Sequence, residues 1–325
     1  MLQVAFVMDP IAGLNLKKDS TLAMIRSAQM RGWNVHCLNS SDLFFKDNEC
    51  WGRTRTVSLS DAFIVNLDYR VAENNWHSLG EVCERAMSEM NVIFMRKDPP
   101  FNMNYIYATY LLERTQESTL VVNDPGSLRD CNEKFFATMF PQCCPPLIVS
   151  AHSDPIKAFQ KEQGNLVLKK LDGMGGSSVF RVMAGDPNMG VIIETLTDQG
   201  QEPIMAQRYL PEISSGDKRI LIVDGQPLDY VLARIPKKGE ARANLAAGGT
   251  GEGRPINERD RWIANQIGPE LVKRGLMFVG IDIIGDFLTE INVTCPTCIR
   301  ELDAQFSLDI AGMLMDAVEA KLESN

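Results

Sequence analysis

Histidine is scarce in this chain: His36, His77 and His152 are the only three in 325 residues, and they lie far apart, which leaves no histidine cluster for a metal. No apolar run approaches the length of a membrane span, and residues 2–7 are too few for the core of an export signal. There is no dense basic block, and the net charge is −9, which argues against a nucleic-acid partner. A disulfide framework is missing too. The eight cysteines (Cys37, Cys50, Cys83, Cys131, Cys143, Cys144, Cys295 and Cys298) are scattered, and without an export signal they read as free thiols of a cytoplasmic protein. Cys295-Pro-Thr-Cys298 is the one pair with redox spacing, but no second such pair or nearby histidine completes a zinc site. The GxxxxGK[ST] phosphate loop is also absent.

What is present is ordinary globular material, 45% hydrophobic and 23% charged, long enough for two or three packed units of about 100–200 residues each. Residues 2–8 form a short apolar run that reads as a buried strand leaving through Asp9-Pro10. Ser20 is placed to cap a helix running to Arg31, stopped by Gly32, and residues 35–38 form a second strand. This β–loop–α–β order points to a parallel sheet, whose ligands gather at the strands' carboxyl ends. The loop at 9–20 is therefore either a substrate contact or a plain connection. Residues 53–59 and 92–95 read as strands and 78–90 as a helix. Arg96-Lys97 then ends a strand, as a carboxylate clamp or as surface cations. Residues 105–114 read as a helix and 119–122 as a strand. Ser127-Leu-Arg-Asp130 resembles a capping box, opening a helix to Phe140 that contains Lys134.

In the middle of the chain, residues 165–169 alternate, placing Val167 and Lys169 on one face. The loop that follows, Leu171-Asp-Gly173-Met174-Gly175-Gly176-Ser-Ser178, lies between two strands. Its glycines leave backbone N–H groups unhindered, which suits phosphate oxygens, although glycine is also common in plain turns. Residues 188–196 read as a helix and 204–210 as a strand. Asp224-Gly225 joins the two arms of a hairpin that carry Arg219 and Arg234. Residues 236–255 are polar and rich in small side chains, as in a lid, and well-formed helices are expected at 257–274 and 309–322.

The most informative stretch is 278–301. Two strands, 279–284 and 287–293, meet at Gly285-Asp286, and Glu290 and Asn292 share one strand face. Oxygen ligands of this kind, with Asp282, suit Mg²⁺. A strict two-residue turn would pair Asp282 with Thr289 and put Asp282 and Glu290 on opposite faces. A shared metal site therefore requires an odd loop or a bulge. Without that site, the stretch is an edge hairpin with solvated acids.

Together, MDPIAGLNLKKDS at 8–20, RKDPPFNMNYIYATYLLER at 96–114, SLRDCNEKFFA at 127–137, LDGMGGSSVFRV at 171–182, GDKRILIVDGQP at 216–227, ARANLAAGG at 241–249 and DIIGDFLTEINVTCPTCIRE at 282–301 resemble the ATP-grasp superfamily, and most closely bacterial glutathione synthetases. The resemblance implies an α/β (α+β overall) ATP-grasp fold. It divides into an amino-terminal parallel-sheet domain at 1–126, a central subdomain at 127–210 and a carboxyl-terminal subdomain at 211–325, with ATP held between two sheets. It implies ATP-dependent joining of γ-glutamylcysteine to glycine through an acyl phosphate, with Mg²⁺ or Mn²⁺ as cofactor, in a homotetramer. By position, Lys134 and Lys169 resemble the lysines on the ATP phosphates, and Gly173, Met174, Gly175 and Gly176 the loop that covers them. Gln207, Tyr209 and Leu210 resemble the strand meeting adenine, and Asp282, Glu290 and Asn292 the metal ligands. Arg219 and Arg234, with Lys169, resemble the catalytic cations. Arg96, Asn244 and Thr294 join the two arginines as substrate contacts, with Asn244 on the lid. The chain departs from the pattern at Thr250, in place of arginine, and at Cys295, in place of serine.

Overall fold

The computed structural model describes residues 1–66, 76–237 and 248–324. Three sheets follow one another along the chain. The first combines β1 (Gln3–Met8), β2 (Asn34–Leu38), β3 (Leu43–Lys46), β4 (Glu49–Leu59), β5 (His77–Leu79), β6 (Cys83–Ala86), β7 (Val92–Arg96) and β8 (Leu120–Val122). Its main path is β3-β4-β2-β1-β7-β8, with β5 and β6 paired to β4. The β2-β1-β7-β8 portion is parallel, as the βαβ order of the sequence requires. Both faces of β1 are covered: Val4, Phe6 and Met8 pack into one core, and Ala5 and Val7 into another.

Helices α1 (Ser20–Met30), α2 (Asp61–Asn66), α3 (Met103–Glu113) and α4 (Pro125–Asp130) accompany this sheet. The first is capped one residue earlier than expected, by Asp19, whose side chain accepts from the Leu22 N–H at 2.7 Å. The expected helix at 127–140 does not form. The cap is Asp124, with Pro125 at the first helical position, and α4 stops at Asp130. Asn132 then accepts from the backbone N–H groups of Lys134 and Phe135, a local turn that competes with helix continuation. Residues 78–90 also differ from expectation. They form β5, β6 and a 3₁₀ turn because the long β4 offers its edge for pairing, overriding local propensity.

The second sheet, β9 (Leu147–Ser150), β10 (Leu166–Lys170), β11 (Val179–Val182) and β12 (Ile204–Arg208), runs β11-β10-β12-β9 and is antiparallel throughout. With α5 (Ser153–Gln163) and α6 (Met189–Leu196) it encloses a core of its own, around Ile156, Leu166, Leu168, Ile193 and Ile204.

The third sheet contains β13 (Asp217–Val223), β14 (Gln226–Pro227), β15 (Tyr230–Ile235), β16 (Thr250–Pro255), β17 (Phe278–Ile284) and β18 (Phe287–Asn292), flanked by α7 (Glu258–Lys273), α8 (Ile299–Phe306) and α9 (Ile310–Ser324). Asp224 and Gly225 both have positive φ, as a tight hairpin turn demands. Part of the expected lid is ordered sheet: residues 250–255 form β16, in register with β15 from Tyr230↔Pro255 to Ile235↔Thr250. Residues 238–247 of that segment, including Asn244, lie outside the described residues. The first and third sheets share both of their large cores, since Phe278 and Leu221 pack with β1 and α1 on one side, and Val279 and Ile281 with Ile93 and Leu112 on the other.

Asn123 joins these two sheets. Its buried amide donates to the carbonyls of Phe278 and Val293, each at 2.8 Å, and accepts from the Phe278 N–H at 2.9 Å. Each buried polar group left without its partner costs about 1–3 kcal/mol. Asn123→Ala is therefore expected to lower the thermal-unfolding midpoint by roughly 4 °C or more, and an unchanged midpoint in a melting experiment would contradict the bridge.

Candidate active site

Residue parity decides the geometry of the third sheet. Asp282 pairs with Glu290, while Ile283 pairs with Leu288, so the ladder shifts at Thr289. That is the bulge the sequence requires, and it places Asp282 and Glu290 on one face. Across β13 and β17, Arg219 stands opposite Asp282, and Asp217 on the same strand face stands opposite Arg234. The result is a row of charges from β15 to β18. Gly280 makes room for it, because a Cβ there would meet the Arg219 side chain at 2.8 Å.

This face lines a cavity of about 330 Å³ whose opposite wall is the second sheet. Val167, Lys169, Val179 and Gln207 come from that sheet, with Tyr209, Leu210 and Ile213 in the segment that follows β12. The apolar residues among them form a slot suited to a flat ring. Gly173, Met174, Gly175 and Gly176 form one rim. Gly175 and Gly176 have φ of 61° and 80°, a backbone shape that turns the loop over the cavity and that other residues rarely adopt. Arg181 lies 4.0 Å from the Tyr209 ring and lines the same end.

The charges on this face are paired with one another. Asp282 accepts from Arg219 through both oxygens and also pairs with Arg234 at 2.8 Å. Burial alone would raise its pKa, but the two guanidiniums hold it well below the usual carboxylate range. Asp217 pairs with Arg234 yet is pushed up, because burial outweighs that attraction. Lys169 and Lys134 both face Glu290, at 3.5 and 3.9 Å. Burial lowers the Lys169 pKa, and Glu290 opposes the shift. Lys134 also donates to the Gly173 carbonyl, which links it to the rim.

Asn292 donates its amide nitrogen to the Gly280 carbonyl at 3.1 Å, which leaves its oxygen for a ligand. Two carboxylates and one amide oxygen make a donor set that fits a hard cation sharing its coordination with phosphate oxygens. Among the described residues no group of three or more His, Cys, Asp or Glu could hold a metal by itself.

Of the residues singled out in sequence, Lys134, Lys169, Gly173, Met174, Gly175, Gly176, Gln207, Tyr209, Leu210, Arg219, Arg234, Asp282, Glu290, Asn292 and Thr294 all line this cavity. Arg96 does not: it is buried behind the wall, donating to the Pro296 carbonyl at 2.9 Å and to Thr21 at 3.1 Å. The Cys295 and Cys298 thiols are free and line the cavity. Burial pushes both pKa values up, which disfavours the thiolates a redox pair needs. Sequence reasoning passed over Glu133, Arg181 and Asp217. Asp217 was legible by alternation, two residues before Arg219. Glu133 was not, because its partners Val293 and Thr294 are remote in the chain.

A family model described as the N-terminal domain of prokaryotic glutathione synthetase matches residues 2–129, and one described as the ATP-grasp domain of prokaryotic glutathione synthetase matches residues 133–307. The glutathione synthetase of Pseudomonas putida is 54% identical over 323 residues, 99% of each chain. That of Vibrio vulnificus (strain YJ016) is 52% identical over 325 residues, 100% of this chain and 99% of the other. The solved structure of the D-cycloserine synthetase DcsG covers 98% of this chain and 99% of its own with a TM-score of 0.65. At 15% identity, that likeness shows the fold alone.

Two buried lysines beside a glycine rim and an apolar slot have the charge and shape that a nucleoside triphosphate requires. Lys169→Met is expected to weaken triphosphate binding roughly tenfold or more in calorimetry. The nucleotide-free melting temperature should fall by only a few degrees, since Glu290 keeps Lys134 as a partner and is 25% exposed. Undiminished binding would remove Lys169 from the phosphate site.

Proposed function

The chain belongs to the prokaryotic glutathione synthetase family, and from that premise we propose how its residues divide the work. It is an ATP-dependent ligase that makes glutathione. In our reading the substrates are γ-glutamylcysteine and glycine, joined through an acyl phosphate. The observation that carries this reading is the row Arg219–Asp282–Glu290 facing Lys134 and Lys169 across one cavity.

A carboxylate is a poor electrophile, so it must be activated before an amine can displace one of its oxygens. Phosphoryl transfer needs positioning and charge neutralisation rather than a nucleophilic side chain. Lys134 and Lys169 hold the polyphosphate, and the 173–176 rim covers it with backbone N–H groups. Val167, Val179, Tyr209, Leu210 and Ile213 surround the base, and Gln207 and its neighbours offer it polar contacts. Mg²⁺, or Mn²⁺, bound by Asp282, Glu290 and Asn292, supplies neutralisation of the phosphate oxygens. Arg219 and Arg234 stand where the acyl phosphate carries its charge. Arg96 supports the substrate-facing turn through Pro296, Thr294 contacts substrate from that turn, and Asn244 does so from the lid.

The division at 1–126, 127–210 and 211–325 is supported by the three successive sheets. A cytoplasmic location is supported by eight free cysteines, and no helix among the described residues is long and apolar enough to cross a membrane. Assembly as a homotetramer is supported by the family resemblance and by exposed Met103, Tyr107 and Tyr110 on α3.

The test of the reading is phosphate release from Mg-ATP with γ-glutamylcysteine, with and without glycine. Release that needs both substrates, with matching tripeptide, supports it; turnover only with another acid–amine pair would discard the substrate assignment. Glu290→Gln removes charge from a side chain that is 25% exposed. It should cut turnover by roughly tenfold or more and lower the nucleotide-free melting temperature, because Lys134 and Lys169 lose their counter-charge, with part of that loss restored by Mg-ATP. A near-normal rate in saturating Mg²⁺ would contradict the metal assignment.

A further inference from the structure

Five acidic residues line the cavity: Asp98, Glu133, Asp217, Asp282 and Glu290. Three are committed to cations, namely Asp217 to Arg234, Asp282 to both arginines and Glu290 to both lysines. Asp98 is exposed. Glu133 is different. Its Oε1 accepts three hydrogen bonds, from the Val293 N–H at 3.1 Å, the Thr294 N–H at 3.1 Å and the Thr294 hydroxyl at 2.7 Å. Its own carbonyl accepts from the Ile291 N–H at 2.8 Å. The side chain is thus held by strand β18 and the turn after it. Its second oxygen, Oε2, receives no hydrogen bond from any described residue. A clamped carboxylate with one oxygen left over, on a cavity wall, is equipped to meet a ligand.

Its position says which ligand. Glu133 is followed in the chain by Lys134, which donates to the Gly173 carbonyl of the glycine rim, and is hydrogen-bonded to Thr294, the first residue of the turn that runs to Cys298 on the same cavity wall. In the reading above, an acyl phosphate formed from a triphosphate held by the lysines lies against this same wall. The second substrate reaches that carbon as an ammonium ion, which has no lone pair and cannot attack. Some group must take a proton from it.

We propose that Glu133 is the catalytic residue that receives the incoming amine, with Oε2 accepting a hydrogen bond from the ammonium and then its proton. The inference rests on the acyl-phosphate reading above. The freed nitrogen lone pair forms the C–N bond to the acyl carbon. The bond from that carbon to the bridging phosphate oxygen breaks, and its electron pair leaves with phosphate. The departing phosphate takes the second proton from nitrogen, and Glu133 returns the first to water once the product has left. Burial raises the Glu133 pKa, which makes it a stronger base than a solvated glutamate.

Hydroxylamine separates this role from a merely structural one, because it is largely unprotonated at neutral pH and needs no base before it attacks. Glu133→Gln keeps an oxygen acceptor for Val293 and Thr294 and removes the base. With Mg-ATP and γ-glutamylcysteine, we expect the glycine-dependent rate to fall about 100-fold. Hydroxamate formation from hydroxylamine should stay within about threefold of the original, the spread expected where only proton transfer is lost. The ratio of the two rates, measured on one preparation, does not depend on how much of it is folded. A glycine rate that hardly changes, or an equal fall with both nucleophiles, would overturn the proposal. If the unsubstituted protein made neither tripeptide nor hydroxamate, the acyl-phosphate reading would fail, and the proposal with it.

Discussion

The structure depends on keeping two buried arginines and three carboxylates on one sheet face. Charges removed from water are tolerated only when each finds a partner at close range. Here the partners come from neighbouring strands: Arg219 faces Asp282 across β13 and β17, and Asp217 faces Arg234 across β13 and β15. The extra residue at Thr289 brings Glu290 onto the same face. Without that shift Glu290 would turn to the opposite face, and Lys134 and the facing wall's Lys169 would lose their counter-charge. Fold and site are joined at this one irregularity in the ladder.

The same network explains how one site can hold so much charge. Glu290 stands in for the phosphates by neutralising Lys134 and Lys169, and the two arginines stand in for a cation by neutralising Asp282. Ligand binding then exchanges partners rather than creating charges from nothing. The second sheet has its own core, so it forms a wall distinct from the body that the first and third sheets build together. The lysine on that wall and the acid opposite it meet only across the cavity.

Much of this was legible in the sequence, for reasons that differ from residue to residue. The acid face and its bulge followed from side-chain alternation, which leaves no freedom of parity. The Gly-rich rim and the Asp224-Gly225 turn were legible because few residues accept their backbone shape. Lys134 was identified by resemblance, but its local structure was misjudged: Asp124-Pro125 opens the helix earlier, and the Asn132 turn ends it. Strand β16 has little strand propensity in TGEGRP and forms because β15 offers an edge. Glu133 was invisible, since the groups that hold it lie 160 residues away in the chain. Local signals announce turns, alternation and caps, whereas the partners of a buried polar group are set by the tertiary fold.

The most direct test of the partner-exchange account is a crystal structure with a non-hydrolysable ATP analogue and Mn²⁺, located by its anomalous scattering. The account predicts a manganese peak between Asp282, Glu290, Asn292 and the phosphates, with Lys134 and Lys169 moved from Glu290 onto phosphate oxygens. Manganese bound elsewhere, or both lysines still on Glu290 with the nucleotide in place, would contradict it.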